Sequence, residues 1–289
     1  MKITRLDMPQ CLIGEGPVWN VAEQALYQID ILGRKVLRHH PATGANVGWD
    51  VPDTIGSMAL RVGGGAIVAL ADGVYTLDFT SGACALLATD GSLDAQVQLA
   101  DGKTDRRGRF VVGSSDRGMV EARGKVYALD PGASVLRVLD DDIFLANGPC
   151  WSPDDSVFYH ADSIRKTIFA YDYDIASGTV ANRRAWASTE DLGGIPDGAT
   201  VDSEGCLWSA ICEGGKVVQF RPDGKLERIV EMPVKLPGSV MFGGSALDVL
   251  YVPSLSPAFL GRTAEPLDGC TFMIEGLGAT GIAEARFAG

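Results

Sequence analysis

The 289-residue sequence contains no run of about 18 apolar residues, the length a membrane-crossing helix requires. Its N-terminus, "MKITRLDMPQCLIGEGPVW", also lacks the uninterrupted apolar stretch of a secretion signal, so a cytoplasmic location is expected. Basic clusters are missing too: the formal net charge is −12, and the nearest approach to a basic run is Arg106 with Arg107. A phosphate backbone or an anionic bilayer would be repelled, which removes nucleic acid and membrane from the expected partners. The six cysteines form no CxxC pair, so reduced buried thiols are expected in place of a zinc cluster or a disulfide framework. Histidine is scarce, with three residues. His39 and His40 read as exposed members of the turn "RHHPATG", and His160 in "VFYHAD" reads as a packed strand residue. Neither a DxDxDG loop nor an HExxH helix occurs, which excludes EF-hand and zincin chemistry.

Almost no segment carries the i, i+3, i+4, i+7 apolar spacing of a helix. Short alternating runs rich in Val, Tyr, Phe and Trp fill the chain instead, among them "ALYQIDI", "RFVVGSS", "KVYALD" and "KTIFAYDYD". Their boundaries are turn residues, in keeping with 36 glycines. Three long segments resemble one another: residues 15–44, 147–178 and 197–224. With Gly16, Ser57, Gly102, Gly148, Gly198 and Gly238 as markers, the separations are 41, 45, 46, 50 and 40 residues. Those periods match the roughly 40 to 50 residues of a four-stranded propeller blade. The expected fold is therefore all-β: one domain spanning residues 1–289, a six-bladed β-propeller with a central metal site. The last unit, interrupted by Pro253, Pro257 and Pro266, is expected to close the ring by pairing "GCTFMIEGLG" (269–278) with "MKITRLDM".

The residue before the shared glycine is polar in four units: Glu15, Asp101, Asn147 and Asp197. Aimed at one channel, three carboxylates and an amide would repel one another and resist desolvation unless a cation sat among them. All-oxygen donors suit a hard divalent ion. Asp-Gly and Asn-Gly are also favoured turn dipeptides, so at any one position turn architecture remains the competing explanation. Trp19, Trp151 and Trp208 follow three of these motifs and read as blade packing. Cys150 lies close to Asn147 but has no histidine in a matching motif, so it reads as a bystander thiol.

The motifs "IGEGPVW", "LADGKTDRRGRF", "LANGPCWSPDDSVFYHADS" and "IPDGATVDSEGCLWSA" resemble the senescence marker protein (regucalcin), gluconolactonase and luciferin-regenerating enzyme family of six-bladed propellers. The resemblance extends over nearly the whole chain. It implies a lactone hydrolase with one divalent cation, calcium first, with manganese, iron, zinc and magnesium as alternatives. By motif it implies Glu15, Asn147 and Asp197 as metal ligands, Asp197 as the base that activates water, and Asp101 as a polar residue near the substrate. Where sugar lactonases of the family carry an Arg and an Asn, this chain has Gln98 and Ala100, so an ordinary aldonolactone is in doubt and a less hydroxylated or aromatic lactone is open. Arg117, Met119, Glu121 and Arg123 are candidate rim residues, with Glu121 taken as substrate-binding. The expected partner is a small lactone, met by a monomer or weak dimer. Competing readings are an organophosphate or aryl ester hydrolase on the same metal site and a non-catalytic calcium-binding propeller.

Overall fold

The computed structural model of the protein describes residues 1–90 and 95–289. Six four-stranded antiparallel sheets follow one another around a ring. Blades 1 to 5 begin with the innermost strands Gly14–Asn20, Ile55–Leu60, Val97–Thr104, Ala146–Trp151 and Ile195–Val201. Blade 6 is assembled from Met241–Gly243, Val249–Val252, Phe272–Glu275 and, outermost, the N-terminal strand Lys2–Arg5. Lys2 pairs with Glu275 and Arg5 with Phe272, so the two ends close the ring as the sequence suggests.

Burial is greatest in the second strands of the blades and falls towards the rim, and residue choice follows it. Second strands such as Ala25–Asp30 and Phe110–Asp116 are buried at every position, because both their faces meet neighbouring blades. Outer strands such as Ala45–Asp50 and Leu226–Glu231 are mostly exposed. Buried apolar clusters straddle every seam between adjacent blades, including the seam between blades 6 and 1. Trp19, Trp151 and Trp208 belong to these seams, as expected. Trp208 meets Phe242 edge-on across the seam of blades 5 and 6, and its replacement by alanine would cost on the order of 3–5 kcal/mol.

The turns between first and second strands are set by side chains that mimic backbone acceptors. Asp105 accepts the amides of Arg107 and Arg109 at 2.9 Å, and Asp202 those of Glu204 and Cys206 at 3.0 and 2.9 Å. The prolines of the last unit keep residues 253–271 out of the sheet, since a proline nitrogen cannot donate to a ladder. That segment carries one 3-10 turn, Pro257–Leu260.

His160 is packed as expected, with Nε2 2.7 Å from the Tyr171 hydroxyl. His39 corrects the sequence reading. It lies one residue before the end of the strand Lys35–His40, is buried, and sets Nδ1 2.9 Å from Asn46 Oδ1, because the strand runs through the half-buried His40 and the turn begins only at Pro41. All six cysteines are free thiols. Among the described residues, no helix is long and apolar enough to cross a membrane.

The C-terminal segment after residue 278 crosses one end of the central channel. Gly281 bridges to Asp202, and Phe287 bridges to Arg61 and is buried in the seam between blades 2 and 3. Glu284 reaches Lys103 at 3.4 Å with both side chains largely buried. The channel is thereby stopped at the end where the inner strands finish and left open at the end where they begin.

Candidate active site

Each polar marker lies at a bulge in an innermost strand rather than in a turn. Register slips between Glu15 and Val18, Leu99 and Gly102, Asn147 and Cys150, and Pro196 and Ala199, so that two residues face one on the partner strand. A bulge re-aims neighbouring side chains, here towards the channel axis. At blade 4 the left-handed backbone falls on Gly148, with φ +58°, and not on Asn147. A Cβ on Gly148 would stand 2.9 Å from the Asp197 carbonyl, so glycine also permits the close approach of blades 4 and 5. On the other side of the axis, a Cβ on Gly238 would strike Glu15 Oε1.

Glu15, Asp101, Asn147 and Asp197 all line one cavity of about 370 Å³ at the open end of the channel. Asp101 is clamped by two amides, Gly102 to Oδ1 at 2.7 Å and Gly148 to Oδ2 at 2.9 Å. Glu15 accepts the Gly16 amide on Oε2 at 2.9 Å, while its Oε1 is buried with no hydrogen-bond partner. Asn147 donates Nδ2 to Ser163 Oγ at 3.0 Å. Ser163, fully buried, donates its own proton to the Pro196 carbonyl at 2.6 Å. A carbonyl only accepts, so the serine can take only an N–H from Asn147, and the amide is fixed with its oxygen turned away.

Burial pushes the Glu15 carboxyl well above the ordinary carboxylate range, and the charges of Asp197 and Asp101 add to the effect. Asp197 is likewise pushed well up by burial and then by Asp101, with the Gly198 amide and the Cys212 thiol pulling it back. Asp101 is raised by burial but restrained by Lys103 and its two amides. Burial and mutual repulsion thus disfavour the ionised forms of these carboxylates. Among the described residues, no group of three or more His, Cys, Asp and Glu side chains is drawn together as a metal cluster. The expected set differs in composition, having two carboxylates and an amide oxygen.

Of the other expected site residues, Gln98 and Ala100 line the same cavity, as do Arg117 and Met119 of the rim. Glu121 does not: its carboxylate pairs with Arg123 at 2.8 Å in an exposed loop. Arg123 is also outside the lining. Cys150 is buried away from the cavity and its thiol is pushed up to about 12 by burial, as befits a bystander.

The sequence reading missed Cys212 and Ser163. Cys212 ends the second strand of blade 5 opposite Ile195; the residues at that place in blades 1 and 4 are Asp30, opposite Gly14, and Asp162, opposite Ala146. Both aspartates accept backbone amides of their own blades. The substitution is visible when "YQIDILG", "YHADSIR" and "SAICEGG" are aligned, although its consequence, a thiol beside Asp197, is not.

Residues 13–256 match the family described as the SMP-30/Gluconolactonase/LRE-like region. The chain belongs to this family. Within the SMP-30/gluconolactonase group it is 34% identical to regucalcin of Gallus gallus over 100% of this chain and 99% of that protein. It is 35% identical to 6-deoxy-6-sulfogluconolactonase of Pseudomonas putida, with 96% of each chain covered. A solved structure described as a calcium-binding protein, regucalcin, from Agrobacterium tumefaciens superposes with a TM-score of 0.89 at 24% identity, covering 98% of this chain and 96% of that one. The last comparison bears on the fold, and supports the six-bladed propeller.

Proposed function

We propose that the protein is a divalent-cation-dependent lactone hydrolase. The observation that carries this reading is the acidic floor: two carboxylates raised well above their ordinary range and a buried Glu15 Oε1 without a partner, beside an amide whose oxygen is left free by Ser163. That donor set fits a hard cation, with Glu15, Asn147 and Asp197 as its holders and calcium as the first choice. When bound, the cation supplies charge compensation for the floor and Lewis acidity towards the lactone carbonyl. The lactonase named among the relatives supports the reaction class.

Asp197 takes a proton from the attacking water as the new C–O bond forms, and returns it to the ring oxygen as the acyl–oxygen bond breaks. The product is the open hydroxy acid. Asp101, held by two amides, orients the substrate beside this centre. Asn147 contributes an oxygen without a further negative charge, which limits the repulsion that Glu15 and Asp197 already feel.

The test is a screen of lactones against metal-stripped protein refilled separately with calcium, manganese, iron, zinc and magnesium. Turnover restored by at least one ion and abolished in Asp197→Ala is the expected result. Cation binding without cleavage of any lactone or ester would instead make the chain a cation-binding propeller.

A further inference from the structure

Above the acidic floor, the cavity wall is apolar. Cys212, Leu236 and Leu255 form a buried cluster with Ile13, Ile195 and Phe259 packed against it, and all of them line the cavity. This cluster belongs to no seam of the ring, because its members come from strand ends at the open side, from the loop before blade 6 and from the proline-rich segment 253–271. At the mouth stand Leu32, Met119 and Leu260, exposed at 42%, 49% and 46% and drawn from blades 1, 3 and 6. Apolar side chains left in water around the opening of a cavity gain on meeting an apolar ligand.

Groups able to read hydroxyls are few. Ala100 offers no side-chain donor. Gln98 has its oxygen engaged by Arg117 Nη1 at 2.9 Å, and Arg117 Nε is turned to the Ala95 carbonyl at 3.0 Å. Thr54 and Ser115 supply the hydroxyls of the wall, and Glu213 points to Arg262 at 2.8 Å. A polyhydroxylated ring would leave several of its hydroxyls unpaired against leucine and isoleucine, a burial penalty that an alkyl chain avoids.

We infer that the preferred substrate is a lactone whose ring carries an extended apolar substituent, the ring lying on the acidic floor and the substituent along the wall formed by Ile13, Leu236, Leu255 and Phe259. This assignment rests on the lactone-hydrolase reading and narrows its substrate class. It differs from the sugar lactone in the name of the Pseudomonas putida relative.

The experiment compares γ- and δ-lactones bearing n-alkyl chains of increasing length with glucono-1,5-lactone, on the full chain loaded with the best metal. The expected result is a kcat/KM that rises about threefold to fourfold per methylene until the wall is filled, and exceeds that of the sugar lactone. Leu32→Ser with Leu260→Ser, both exposed positions, is expected to flatten that dependence. A second arm measures the affinity of the alkyl lactams, which are not cleaved, by calorimetry with and without metal. Chain-length-dependent affinity supports the apolar wall even if no lactone is hydrolysed, whereas a failure of turnover alone counts against the reaction. A flat response in both arms, or a preference for glucono-1,5-lactone, overturns the inference and leaves lactone hydrolysis standing wherever turnover is seen.

Discussion

The two ends of the central channel are built from the same innermost strands yet treat charge in opposite ways. At the closed end Lys103 meets Glu284 from the C-terminal segment and also donates to the Ala199 carbonyl at 3.0 Å, so each buried charge has its partner within the chain. At the open end Glu15, Asp101 and Asp197 line one cavity, and burial raises all three. Along Val97–Thr104 the switch occupies two residues, since Asp101 and Lys103 share a face of one strand. The sealed end pairs its charges inside the chain, while the open end keeps carboxylates whose ionisation burial disfavours.

The contrast is broken most severely at Asp197. Asp197→Ala is expected to lower kcat/KM by on the order of 10²–10⁴-fold at saturating metal, with far-UV circular dichroism unchanged. At the other end Lys103→Met strands Glu284 in a largely buried place and is expected to cost on the order of 3 kcal/mol in urea unfolding, while the double change with Glu284→Leu recovers most of it. Ser163→Ala leaves the Asn147 amide free to turn, and is expected to weaken cation affinity about 10–100-fold by titration calorimetry, with a smaller change in kcat.

Proton binding offers a finer probe. Glu15 and Asp197 hold protons more tightly in the folded chain than in the unfolded one. Their contribution to stability is therefore fully present below about pH 4 and is lost as the pH rises through their raised folded values. In metal-free protein, Glu15→Gln should reduce this loss by up to about 1.4 kcal/mol for each pH unit in that window, read from denaturant unfolding against the wild type. Added calcium should suppress the difference. The smallest effect is expected for Cys212→Ser: a stronger donor beside Asp197 lowers its affinity for protons, moves the acid limb of the rate profile to lower pH, and changes kcat by less than about tenfold.

Much of this architecture was legible as period. The spacing of Gly16, Ser57, Gly102, Gly148, Gly198 and Gly238 marks the inner strands, and the pairing of Lys2–Arg5 with Phe272–Glu275 follows from the irregular last unit. The four polar markers were legible as well, because residues at one place in a repeat share one place in space. The turn interpretation of Asn147 was not sustained, since Asn-Gly in isolation does not distinguish a hairpin turn from a bulge inside a strand. Glu121, expected at the rim from its loop, pairs its carboxylate with Arg123, a contact the sequence does not record.

By itself, the sequence determined the number of blades, their order, three of the packing tryptophans and the polar markers of four inner strands, because a repeated pattern of burial allows one ring and few alternatives. Only the tertiary structure decided which end of that axis is open. The stop formed by Glu284 and Phe287 and the apolar wall contributed by Phe259 and Leu260 come from segments far apart in the chain, whereas the thiol beside Asp197 and the serine behind Asn147 come from the adjoining strand of the same blade or its end. The repeat period records none of these contacts; the stop follows from how the C-terminal segment crosses the channel, the wall from where segment 253–271 lies beside the cavity, and the last two from strand register inside a blade.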